Sequence, residues 1–559
     1  MQMPWRREVA LDTTQRFTAM WLILPRYPDS RRTRCLNTLS SGSELQEEKL
    51  GYDRGVANIP DGEHLRTCPQ GYTCCTSEME ENFANTSRFE LETLLKESSL
   101  SLQGSLIAQH RKFNAYFQTL LNRSEQSLQE SFPNMYGDLY TQNERRFRDL
   151  YSELRRYYRG SGVSLEESLN DFWSRLLELL FKAQNPQLSI TDEYVDCMKQ
   201  NDQLKQFGDI PREVKLKATR AFIAARSFVQ GLSAAADIVR RVTQVPMSAE
   251  CTGALMKLVY CPHCQGLSNT KPCVNFCWNV MCGCLANQAD LDSEWKNLIE
   301  SLLLVADKFS GASNVVNIVA SIPSKISEAI TYMQENKEVI ANKIFKSCGN
   351  PEKINSERNN KGSKPEERRR KAKGSQEDKS AVGSADSLVT DVKLMLSDYQ
   401  DYWVSLPTQF CNDKVTAGPA NEDRCWNGNT KGRYMPERMG RGLASQINNP
   451  EVDVDITKPD MSIRQQIMQL KIMTNRLRNA YNGNDVDFQD TSDDISGSGS
   501  GDGCTEDICG RRSSGDTVLQ QPATHAEPGQ PGKSIPGKGA TLYSWDLFLF
   551  LVALLVVRW

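Results

Sequence analysis

The chain has 559 residues, with 67 Lys and Arg against 70 Asp and Glu, and its net charge of −3 supplies no whole-chain field for nucleic acid. Four histidines leave little material for His-based catalysis or metal ligation. Seventeen cysteines, several of them clustered, point to disulfides and an oxidising compartment rather than the cytosol. The first segment, 1–61, is atypical. A secreted chain needs an apolar leader, but the apolar run 17–24 is short and is followed by Pro25 and Arg26.

Cys68, Cys74 and Cys75 lie close together, and adjacent cysteines usually pair with different distant partners. Helical spacing then begins: Leu91, Leu94, Leu95, Leu102, Leu106, Phe113, Phe117, Leu120 and Leu121 form one buried stripe. Asn85 and Asn122 head N-glycosylation sequons. A second helix at 140–159 is rich in arginine. Glu144, Asp149 and Glu153 interleave its bases, so it reads as a solvated face rather than an anion site. Further helices follow at 169–182 and 214–241.

Between 251 and 284 stand seven cysteines: Cys251, Cys261, Cys264, Cys273, Cys277, Cys282 and Cys284. Cys261-Pro262-His263-Cys264 has the spacing of a thiol-disulfide redox motif, and a zinc site could be drawn with Cys273 and Cys277. A redox motif needs a strand before it and a helix opening at its first cysteine, whereas 265–269 reads as a turn. Cys68, Cys74, Cys75, Cys348, Cys411 and Cys425 also await partners, so structural bridges are the preferred reading. Helical pattern resumes at 291–309, 315–320 and 329–345. The stretch 351–387 holds almost no large apolar residue and reads as a disordered basic loop, with a candidate cleavage point at Arg370 and Lys371. A helix is expected at 388–406 and a short strand at 450–456. A last helix begins after the N-cap Asp460, with Ile463, Ile467, Leu470 and Leu477 on one face.

From Asn479 to Gly510 there are eight acids and no base. Such a segment has nothing to bury and is expected to stay extended. Within it Ser496, Ser498 and Ser500 alternate with glycine between acidic clusters. A plain Gly/Ser linker is the bland alternative. Repeated Ser-Gly beside acids is the acceptor pattern for xylose-initiated glycosaminoglycan, and glycine leaves each hydroxyl open to a transferase. At the C-terminus eleven apolar residues, 547–557, are too few for a spanning helix of about 20 residues. Small residues and a polar spacer precede them, which is the pattern of a glycosylphosphatidylinositol (GPI) signal, with attachment at Gly532 or Ser534.

Particular runs resemble the glypicans, GPI-anchored heparan sulfate proteoglycans: 68–75 (CPQGYTCC), 225–232 (ARSFVQGL), 284–288 (CLANQ) and 449–460 (NPEVDVDITKPD). The resemblance implies an all-α fold: an elongated, disulfide-stapled helical ectodomain followed by a disordered acidic Ser-Gly tail. The segments would be 1–61 atypical, 62–481 cysteine-rich core with the loop 351–387, 482–533 attachment stalk, and 534–559 a signal removed on maturation. It also implies the bridges Cys68–Cys261, Cys75–Cys264, Cys197–Cys348, Cys251–Cys284, Cys273–Cys425 and Cys277–Cys411. Cys74 would have only Cys35 available, and Cys282 is left as the free thiol. Function would then be that of a non-enzymatic core protein without cofactor or metal, held on the outer membrane leaflet and admitting a shed form. It would present heparan sulfate to growth factors and morphogens of the fibroblast growth factor, Wnt and Hedgehog kinds, and to extracellular matrix proteins, with no nucleic-acid partner. The competing classes are a secreted thiol oxidoreductase using Cys261 and Cys264, and a glycan-free adhesion module.

Overall fold

The computed structural model describes residues 62–352 and 379–485, except Tyr72, Cys74, 201–205, Ser268 and 312–313; for Gln200 and 379–384 it describes the backbone alone. The chain divides into two units, Met1–Asp494 and Ile495–Trp559, and every described residue belongs to the first. Among the described residues the fold is all-α. No strand forms, and the β pairing consists of isolated bridges from Trp426 to Pro272 and to Lys431.

Helix α1 (Ser77–Tyr136) runs for 60 residues, about 90 Å at 1.5 Å per residue. Thr76 caps its start by accepting from the Met79 amide, and no proline interrupts it before Pro133. Gly137, at φ 51°, ends it. Its buried stripe follows the apolar spacing and reaches from Leu91 to Phe132. The sequence pattern missed the first turns of this helix because they bury small or polar residues such as Glu80 and Ser87.

After a single turn, α2 (Asp138–Thr141), come α3 (Glu144–Arg159), α4 (Leu165–Gln184) and α5 (Asp192–Gln200). Arg148 pairs with Glu144 at 2.6 Å and Arg156 with Glu153 at 2.8 Å within α3, as expected for a solvated face, whereas Arg155 turns inward to Glu125 of α1 and donates to Asn122 at 2.9 Å. Helix α6 (Ile210–Val242) is long and apolar enough to cross a membrane by composition, yet 78% of its most apolar window is buried, so it is a core helix. Phe113 of α1 meets Phe228 of α6 edge-on at 4.8 Å, and Phe117 meets Phe222 at 5.2 Å.

Three short helices follow: α7 (Ala249–Val259), α8 (Cys261–Cys264) and α9 (Val274–Cys284). Then come α10 (Ala286–Ala289), α11 (Asp292–Ala306), α12 (Val315–Ala320), α13 (Ile322–Glu335) and α14 (Lys337–Cys348). Helix α15 (Lys379–Asp398) starts inside the stretch 351–387 expected to be disordered. At the start of that stretch, the Glu352 carbonyl accepts a 2.7 Å bond from the Ser189 amide. The helix expected at 388–406 is broken at 399–401, where the Tyr399 carbonyl accepts from the indole N–H of buried Trp295, and α16 (Tyr402–Phe410) follows.

From Cys411 to Asp460 the backbone is irregular but not loose. Asn279 of α9, fully buried, donates to the Glu437 carbonyl and accepts from the Met439 amide, both at 2.8 Å. Trp426, also buried, donates its indole N–H to the Lys257 carbonyl. The expected strand at 450–456 is absent. Asn449 takes the amides of Glu451 and Val452 on its side chain, and Val452 packs into the space left by Gly283, so the alternation reflects a loop pressed on α9. Helix α17 (Met461–Asn482) closes the described core, with the Asp460 carboxylate accepting from the Ile463 amide at 2.9 Å.

Candidate functional site

Two regions bear on function: the cysteine-rich end and the root of the acidic tail. At the first, disulfides join Cys68–Cys261, Cys75–Cys264, Cys251–Cys284, Cys273–Cys425 and Cys277–Cys411, while Cys197–Cys348 ties α5 to α14. Cys261 and Cys264 are therefore bonded to separate partners and not to each other. Helix α7 precedes their single helical turn, where a redox motif would need a strand. That geometry offers no dithiol pair for exchange.

Glu80 fastens the segment carrying Cys68. One oxygen accepts from the amides of Thr67 and Cys68 and the other from Arg66, all at 2.8 Å. Burial pushes its carboxyl upward, but the three amides, aided by His64, outweigh that and hold it below its usual range. No sequence signal marked Glu80, because its partners are backbone groups.

Cys282 is the free cysteine among the described residues, and it is buried. Burial pushes its thiol up to about 11 against the opposing pull of Arg441 and Arg438. Arg438 lies over the Trp278 ring at 3.4 Å. A thiol held this high is a poor nucleophile.

At the second region α17 ends on Gly483, in the left-handed conformation at φ 84°. A β-carbon there would lie 2.7 Å from Arg220 Cγ. The Tyr157 hydroxyl donates to Asp485 at 2.8 Å, and Arg226 sits 5.0 Å from the Tyr157 ring centre. Burial, then Asp485, raise the Tyr157 hydroxyl well above its ordinary value. Lys308 lies 3.9 Å over the ring of Tyr481. The residues that follow α17, Gly483 and Asp485, are thus held against α6 and α3.

Asn85 and Asn122 are exposed on α1. The sequon hydroxyl of Ser124 is buried and bonded to the Tyr151 hydroxyl and the Val319 carbonyl, each at 2.8 Å. Ser496, Ser498, Ser500, Gly532, Ser534, Arg370, Lys371, Cys35, Cys74, Cys504 and Cys509 lie outside the described residues.

The glypican family model matches residues 53–558. The chain belongs to the glypican family. It is 72% identical to Glypican-1 of Xenopus tropicalis over 525 residues, covering 93% of this chain and 94% of that protein. A crystal structure of C-terminally truncated glypican-1 superposes with a TM-score of 0.69 at 52% identity, covering 81% of this chain and 99% of that one. A structure of Dally-like protein in complex with O-palmitoleoyl serine matches with a TM-score of 0.61 at 30% identity, covering 81% and 99%. Within the family the resemblance is to glypican-1, since identity to Glypican-2 of Homo sapiens is 37%. This glypican is a heparan sulfate proteoglycan core protein of the cell surface.

Proposed function

We propose that this core carries its heparan sulfate on Ser496, Ser498 and Ser500 and presents it to basic growth factors, morphogens and matrix proteins as a co-receptor. A GPI anchor at Gly532 or Ser534 would hold it on the outer leaflet. The supporting observation is the Ser-Gly repeat between acidic clusters, eleven residues beyond the fixed Asp485, so the chains start within roughly 40 Å of the core. Heparan sulfate is a dense polyanion, and several chains on one anchored protein concentrate cationic ligands by attraction that salt weakens. The test is S496A/S498A/S500A in full-length protein expressed on cells. The expected result is collapse of a heparinase-sensitive smear to a discrete band and loss of salt-sensitive fibroblast growth factor capture. A smear that survives refutes the acceptor assignment. Capture that survives without the smear favours direct adhesion by the core.

A second reading concerns the core itself and rests on the Dally-like complex with O-palmitoleoyl serine. An apolar cavity of about 20 Å³ lies among Leu91, Leu94, Leu255, Leu258, Val259 and Met281. It has room for about one water molecule, so an acyl chain would enter only if α1 and α7 part. Binding of a palmitoleoyl-serine peptide that is lost in Leu255→Trp would support this reading, and equal binding by both proteins would refute that location.

A further inference from the structure

Helix α17 carries charge of one sign only. Its 22 residues contain four bases, Arg464, Lys471, Arg476 and Arg478, and no acid. Arg464, Lys471 and Arg478 are seven residues apart, so they form one stripe that drifts only about 20° per step. All three are exposed. Successive bases along the stripe are about 10.5 Å apart. That is too far for a single phosphate or carboxylate to bridge, and it suits an extended polymer with repeating charge. Lys471 has one acid nearby, Glu294 at 3.9 Å, and no salt bridge to Arg464 or Arg478 occurs among the described residues. Lys308 over Tyr481, and Arg220 against Gly483, continue the positive charge to the point where the tail leaves. Arg464 and Arg478, on either side of Lys471, have no such acid among the described residues, so an anion lying along the stripe would gain attraction to both.

We infer that this stripe is a docking track for the sulfated glycosaminoglycan carried by the chain's own tail. The occupant follows from charge and reach. Helix α17 is about 33 Å long. Its C-terminal end adjoins the anchored Asp485, and Ser496 lies within roughly 40 Å of that residue along the chain. The first sulfated sugars can therefore return along the stripe, at the high effective concentration that tethering provides. The tail's own acids are also anionic, but they fall at uneven spacing, with none between Asp494 and Asp502, whereas a sulfated polysaccharide carries its charge at a regular repeat. This inference rests on the acceptor reading above, so its test has one arm that needs that reading and one that does not.

In the independent arm, full-length S496A/S498A/S500A protein is titrated with a size-defined heparin oligosaccharide across a range of salt. Adding R464Q/K471Q/R478Q should weaken binding about tenfold or more and flatten the log K against log salt slope by about two. R145Q/R148Q/R175Q removes the same charge from arginines that face acids on their own helices, and it should change binding little. Equal losses in the two triple variants, or no binding by the parent, overturn the track. Binding to phosphatidylserine vesicles but not to the oligosaccharide overturns it in favour of a membrane surface. In the dependent arm, amine acetylation of chain-bearing protein is followed at Lys471, with Lys182 of α4 as reference. Lys471 should react several-fold faster after heparinase and Lys182 should not change. A chain-bearing protein whose Lys471 reacts equally before and after digestion overturns docking in cis. Absence of any chain refutes the acceptor reading instead.

Discussion

Glu80→Gln isolates the effect of one carboxylate on the segment that carries Cys68. In the wild type its two oxygens take three amides, each at 2.8 Å, in a buried setting. Glutamine keeps the shape but turns one acceptor into a donor. One amide is left facing an N–H, and the other two bonds lose their ionic character. A hydrogen bond to a charged group contributes about 1.5–3 kcal/mol, so the change should cost the segment about 2–4 kcal/mol. At 1.4 kcal/mol per factor of ten, that is about 30- to 1000-fold faster amide exchange at Arg66, Thr67 and Cys68. Hydrogen exchange with mass spectrometry on peptides spanning 63–80 reads this directly, and peptides from α6 serve as the reference. Acid should act the same way. Because the folded carboxyl sits below its ordinary value of 4.5, its contribution is complete above about pH 4.5 and is lost as pH falls through the lower folded value. The variant should lack that acid step. Unchanged protection at 66–68, or a loss spread evenly over α6, would refute the assignment.

Gly283→Ala should destabilise the core by about 1–3 kcal/mol in chemical denaturation, since its β-carbon would lie 2.6 Å from Val452 Cβ. Val452→Gly in the same protein removes that Cβ and should restore part of the loss, and additive costs would count against the contact. Cys282 should resist maleimide at neutral pH in the native protein and react once the protein is denatured, because burial pushes the thiol up to about 11; rapid native labelling would contradict its burial. C197A/C348A removes a bridge across 151 residues, for which loop entropy gives about 5 kcal/mol as an upper figure. The loss should appear as a lower unfolding midpoint with the other five bridges still mapped intact, and a variant as stable as the parent would show that packing alone holds α5 to α14.

The helices were legible where large apolar residues recur at 3.6-residue spacing, as in α6 and the middle of α1. They were not legible where small residues end a helix, as at the start of α15, or where a buried indole breaks one, as Trp295 does at Tyr399. The alternation at 450–456 misled because Val452 is buried for Gly283 and not for a neighbouring strand. At the tail root, the acidic composition marked the stalk but could not show that Asp485 is held by Tyr157, 328 residues earlier in the chain. The cationic stripe of α17 was present in the sequence from the start. It became visible only once the structure put Arg464, Lys471 and Arg478 on the exposed face of one helix.

The bridges Cys273–Cys425 and Cys277–Cys411 each join residues on opposite sides of the stretch 353–378, where Arg370 and Lys371 lie. Hydrolysis of a peptide bond at that point would open the chain without releasing either piece. The C-terminal fragment, with α17 and the tail, would stay covalently fastened to α9. Electrophoresis without reductant would show one species, and adding a thiol would resolve two. A protease acting there would therefore change the number of polypeptides in the molecule but not which parts of it stay joined.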